Sequence, residues 1–230
     1  MAKPEKPGFK SRENLKLFEM KKANLIFIAV TLSVFVLTGF GMKEPKEVKV
    51  GEQIWMSNNL NVDKLPDGTP IMHAKTIEEW NEAYENEVAA WCYYDNDPKN
   101  GEKYGKLYNL YAYMDIQLQL SDDWMIPNHK SWRQLVNDLG GIEGVFSNEK
   151  ISGNDANDFT IFPAGMRNEN GEFVKMGESV YWHHPYLIDP FPPYNKSEGA
   201  LYFDFKNKNI DNKSPITKEG LYIRLVKNNE

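Results

Sequence analysis

Between residues 25 and 42 the chain reads LIFIAVTLSVFVLTGFGM, eighteen consecutive positions without a charge. A run of that length can cross a bilayer core as a helix. Residues 1 to 22 before it carry seven Lys or Arg and three Glu. Such a positive flank stays in the cytoplasm, so the long C-terminal part is expected outside it. The pattern predicts a basic tail over 1–22, a transmembrane signal-anchor or signal peptide over 23–42, a linker over 43–49 and one extracytoplasmic domain over 50–230. If the segment is cut, Gly39 and Gly41 are the small residues before the cut; if not, residues 25–42 tie the protein to the membrane. The stretch from Met20 alone already has a signal-peptide layout, which makes Met20 an alternative start.

Beyond the linker the periodicity changes. Residues 50–62 alternate around Ile54, Trp55 and Met56 and read as a strand followed by a turn at Ser57, Asn58 and Asn59. Asp67-Gly68 is a second turn. Residues 76–88 place Ile77, Trp80, Ala83, Tyr84 and Val88 on one helical face, and Thr76 with Glu79 forms a capping box. A second helix starts at Asn128, carries Trp132, Leu135, Val136 and Leu139 at helical spacing, and stops at Gly140-Gly141. After Asn157 short strands follow: 159–167 and 171–177 around an Asn-Gly turn, then SVYWHH, 200–205 and 221–226. Few helices, short strands and long loops predict an α+β domain.

Composition narrows the partners. The 188 residues after the apolar segment suffice for one domain with a core. The formal net charge is −6, which argues against a nucleic-acid partner. Cys92 is the one cysteine, so no internal disulfide can form.

The densest aromatic stretch is WCYYDNDPKNGEKYGKLYNLYA, residues 91–112. Its pattern reads as a strand end over Trp91–Tyr94, a polar turn over Asp95–Gly105 and a return into the core from Leu107. Tyr104, Tyr108 and Tyr111 have the spacing to share one face of a helical turn. In order along the chain come GEQIWMSNNLNV, PDGTPI, this aromatic stretch, DDWMIPNHKSWRQLVNDLGG, FPAGMRNENGEFVKMGESVYW and LYIRLVK. That series resembles the Fibrobacter succinogenes major paralogous domain, from about Val50 to Lys227. The resemblance implies a surface or secreted protein of the bacterial cell envelope. It also implies a C-type-lectin-like fold, shared with sulfatase-modifying factors: two short helices, small twisted antiparallel sheets and long loops, here preceded by one N-terminal hydrophobic helix. No general enzymatic activity comes with it. Two departures stand out. Phe40 occupies the place of the lipoprotein cysteine, and residues 183–199 lack the expected Ser-rich character.

The proline-stiffened segment HHPYLIDPFPPYN is the candidate ligand loop, with His183, His184, Tyr186, Phe191 and Tyr194 as its contact residues. The same aromatics can instead pack beneath the loop. Calcium is the one candidate cofactor: Asp95 and Asp97 with Asn96 and Asn100, or Asp155 and Asp158 with Asn154 and Asn157, supply oxygen ligands. Neither cluster has EF-hand spacing, and both read equally as turns whose side chains bond the backbone. Adjacent histidines on a strand point to opposite faces and chelate poorly. Cys92 has no neighbouring base and reads as a buried packing residue. No nucleotide-binding or triad motif is present. The reading that follows is a non-enzymatic envelope module whose ligand is a glycan or another envelope protein. A purely structural envelope protein and a polysaccharide-acting enzyme are the alternatives.

Overall fold

The computed structural model describes residues 46–147, 159–187, 196–213 and 217–228. The tail, the apolar segment 25–42 and the helix predicted for it lie outside these residues. So do Phe191 and Tyr194, Asp155 and Asp158, and the side chain of Tyr186. Among the described residues no helix is long and apolar enough to cross a membrane.

The chain enters as a hairpin, β1 (Glu47–Val50) and β2 (Gln53–Met56), turning at Gly51 with φ +57°. β3 (Met72–His73) is followed by α1 (Ile77–Glu85) and β4 (Ala90–Cys92). A 3-10 turn at Tyr94–Asn96 then leads into α2 (Pro98–Tyr104), β5 (Leu107–Tyr108) and α3 (Leu110–Gln119). Next come β6 (Trp124–Met125), α4 (His129–Asp138) and α5 (Gly141–Ser147). The last part is all strand: β7 (Ala164–Arg167), β8 (Phe173–Met176), β9 (Ser179–Leu187), β10 (Lys196–Asp204), β11 (Asn209–Lys213) and β12 (Val226–Lys227).

Both predicted helices form with the predicted caps, but the first stops at Glu85, buries only Trp80 and Ala83, and leaves Ile77 and Val88 of the expected face exposed. Thr76 and Glu79 satisfy each other's backbone amides at the start of α1, and Asn128 accepts from the Ser131 amide at the start of α4. The expectation of only two helices needs correction, because the described residues hold five α-helices. The polar stretch 95–105 is not a plain turn. Asp97 caps α2 by accepting from the Lys99 amide, and Pro98 occupies the first turn, where its missing N–H costs nothing. Tyr104, Tyr108 and Tyr111 consequently fall on α2, β5 and α3 and share no helical face. Asn109 caps α3: its side-chain oxygen accepts from Ala112 and Ala90, and its amide donates to the Val88 carbonyl.

Three sheets organise these elements: β1-β2-β12-β6, β3-β4-β5 and β11-β10-β9-β7-β8. The first is antiparallel throughout; the other two are mixed, since β3 pairs β4 and β7 pairs β9 in parallel. The segment 221–226 is mostly irregular. It makes isolated bridges at Leu221 and Tyr222 before joining β2 and β6 at β12.

One core cluster gathers Trp55, Trp80, Trp132, Trp182, Phe203 and Tyr222. Trp132 lies 5.0 Å from both Trp55 and Trp182, centroid to centroid. A second cluster holds Trp91, Tyr108, Tyr113, Trp124 and Ile223. Burying each large ring contributes about 2–3 kcal/mol, which lets the domain cohere without disulfides. Arg224 is buried too. Its guanidinium donates to Asn59 Oδ1 and to the carbonyls of Met56, Ser57 and Thr160, so one cation fastens the β2 exit to the segment before β7. Desolvation lowers its pKa to about 9.

Candidate functional site

The histidine pair predicted as ligand contacts lies inside the protein. His183 and His184 are both fully buried. The two side chains alternate across β9: Tyr113 covers His183 on one face, and Pro127 and His129 meet His184 on the other. His183 stacks on Tyr113 at 4.6 Å, and its Nε2 is 2.8 Å from the Tyr108 carbonyl. A carbonyl only accepts, so Nε2 carries the proton, and Nδ1 has no partner among the described residues. His184 donates from Nδ1 to the Pro127 carbonyl and meets the His129 ring edge-on at 4.8 Å. Burial pushes both imidazoles down to about 4, with the carbonyl bonds offsetting only part of it. Neutral, covered rings of this kind hold strands together; they do not meet a soluble ligand.

The acidic turn has a similar fate. Asp97 spends an oxygen on the α2 cap. Asn96 and Asn100 donate to the carbonyls of Lys75 and Tyr94. Asp95 is exposed with φ +53°, a turn conformation. Among the described residues no group of three His, Cys, Asp or Glu side chains is placed to hold a metal ion. Cys92 is buried, and burial pushes its thiol up to about 12 despite the adjacent Arg167 guanidinium. Such a thiol is a poor nucleophile.

A different group of side chains has the character of a site. The parallel pairing of β3 with β4 sets His73 opposite Trp91. Their rings stack with centroids 3.8 Å apart and planes 11° apart. Trp91 is fixed by donating its indole N–H to the Ile71 carbonyl at 3.1 Å. Tyr93, two residues on and so on the same side of the strand, packs edge-on to Trp91 at 5.0 Å and to His73 at 5.7 Å. Its ring lies over Gly101 of α2, where a Cβ would stand 2.1 Å from the ring carbons. Only glycine allows Tyr93 that position.

Lys106, immediately before β5, completes the group. Its amide donates to the Leu60 carbonyl, and its side chain reaches the aromatic rings of Trp91 and Tyr93. The ammonium is 4.1 Å from the Trp91 centroid and 5.9 Å from that of Tyr93. Lys106 is only 5 % exposed. Burial lowers its pKa, against the field of Asp63, which raises it. His73 is lowered as well, first by burial and then by the charges of Lys75 and Lys106, so its ring is neutral at pH 7. Among the described residues His73 Nε2 has no hydrogen-bond partner. His73 and Tyr93 are half-buried and Lys75, Asp63 and Glu102 are exposed, so the recessed cation lies under a partly open aromatic rim.

No sequence pattern announced this group, because its members lie on three strands and their approaches. The one available signal was a lysine within an unusually aromatic stretch.

In comparison with known proteins, residues 48–227 match a family model described as the Fibrobacter succinogenes major domain. Neither the curated proteins nor the solved structures compared with the chain provide a match.

Proposed function

The chain belongs to the Fibrobacter succinogenes major domain family, and on that premise we propose that it is a non-enzymatic binding module of the bacterial cell envelope, acting outside the cytoplasm on a glycan or another envelope protein. The carrying observation is the Lys106 group: a recessed cation beneath half-open aromatic rings. Aromatic faces take up flat, partly apolar surfaces at low ordering cost, and a few fixed polar groups add orientation. The high pKa of Cys92 and the buried, neutral His183 and His184 support a non-enzymatic role, because neither nucleophile nor base is poised there. We assign no cofactor to this activity. The finer fold is proposed to be C-type-lectin-like. Residues 25–42 are proposed as the membrane-crossing segment that leaves the basic N-terminus in the cytoplasm, or as a signal peptide that is removed.

A structural envelope protein is the competing reading, favoured by the way His183 and His184 pack as strand fasteners. A glycan array and an envelope pull-down with the full-length chain in detergent decide between them. The binding reading predicts saturable capture of a defined glycan or partner, weakened by Tyr93→Ala. Silence in both assays favours the structural role.

A further inference from the structure

We propose that the face formed by His73, Trp91, Tyr93 and Lys106 receives a carboxylate-bearing sugar, making the ligand an acidic, uronate-containing glycan. This deepens the binding-module reading and rests on it.

A nearly buried lysine ordinarily has a counter-ion. Lys213 has Glu219, and Lys227 has Glu47. Lys106 is more deeply buried than either, yet among the described residues no carboxylate reaches ion-pairing distance of its ammonium. Asp63 acts on it only through its field. The contacts that hold the ammonium are the π faces of Trp91 and Tyr93. A cation–π contact returns less than the hydration that a recessed charge gives up. A bound carboxylate would supply the missing anion through a charge-assisted hydrogen bond. Tyr93 offers ring surface for the apolar side of a pyranose, held in place by its contact with Gly101.

The surroundings limit the charge of the ligand. The exposed Asp63 and Glu102 both act on Tyr93, and the chain carries a net charge of −6. A single carboxylate meets Lys106 with Lys75 assisting, whereas a dense polyanion such as a nucleic acid is repelled by the rim.

The test uses the full-length chain in detergent, titrated with trimers of galacturonate and of glucuronate and with their methyl esters, followed by tryptophan fluorescence and calorimetry. The ester keeps the sugar and removes the charge. The expected result is at least one acid trimer binding tenfold or more tighter than its ester. Lys106→Met should abolish that preference with unchanged thermal unfolding, and Lys106→Arg should retain part of it. Equal binding of acid and ester, or an acid preference that survives Lys106→Met, overturns the carboxylate assignment and leaves the binding module intact. No binding of either trimer also overturns the assignment; the binding-module reading falls with it only if the glycan array and envelope pull-down are silent too.

Discussion

The ammonium of Lys106 stands 4.1 Å from the centroid of the Trp91 ring, with no anion among the described residues close enough to pair with it. A folded domain that only needed packing there would be served equally by an uncharged side chain. Lys106→Met keeps the aliphatic stem, loses the cation–π contact and removes the desolvated charge. These effects oppose each other, so stability is expected to change by less than about 1 kcal/mol in urea denaturation. A loss above about 3 kcal/mol would make Lys106 a structural residue.

Gly101 and Tyr93 form a second test of the same face. A methyl group on residue 101 would meet the Tyr93 ring at 2.1 Å. Gly101→Ala therefore displaces that ring, while the backbone at 101 remains in ordinary helical geometry within α2. The expected cost is about 1–3 kcal/mol of stability, together with loss of glycan capture. Tyr93→Ala in the Gly101→Ala background should restore most of the stability and none of the binding, measured by thermal unfolding and array signal.

His183 and His184 predict a defined acid sensitivity. Each has its pKa lowered from 6.5 to about 4 in the folded state. Between those values the unfolded chain binds more protons than the folded one, so stability present above pH 6.5 is lost as the pH falls toward 4. His183 alone accounts for about 3 kcal/mol of that loss. His183→Gln can still donate to the Tyr108 carbonyl but does not titrate. Its urea midpoint should lie below wild type at pH 7.5 and approach or exceed it at pH 4.5. A constant difference across that range would contradict the assignment.

Sequence made some elements legible and hid others for physical reasons. α1 and α4 were readable because one apolar face and a side-chain cap coincide, at Thr76 and at Asn128. α3 hid because Leu110, Tyr111, Ala112, Tyr113, Met114, Ile116 and Leu118 spread apolar residues around the whole helix, leaving no periodic signal. α2 hid because Asp97, Pro98, Asn100 and Gly101 have turn composition even though Asp97 and Pro98 start a helix well. The burial of His183 and His184 could not be read from strand alternation, which says that neighbours face opposite ways but not that both faces are covered. Lys106 joined the site through the antiparallel pairing of β4 with β5, and His73 through its parallel pairing with Trp91, a contact across eighteen residues.

Arg224 is expected to be the least replaceable buried cation. Among the described residues no carboxylate pairs with it; its donors reach Asn59 and three backbone carbonyls. Arg224→Met removes a donor from all four, although Asn59 Oδ1 keeps the Trp182 indole and the Ser57 carbonyl keeps the Thr160 amide, so the loss is about 2–3 kcal/mol. Chemical denaturation should show the loss, and Arg224→Lys should recover only part of it, since an ammonium cannot span all four acceptors.

Observing the Lys106 side chain itself tests the central claim most directly. With lysine labelled at Cε, NMR can follow the Lys106 titration in the free protein and in the presence of an acid trimer and its ester. The account predicts a pKa below the usual lysine value in the free protein, a rise toward or above that value on binding the acid, and no rise with the ester. A Lys106 titration that is the same with and without the acid trimer, at concentrations where the trimer is bound, would contradict it.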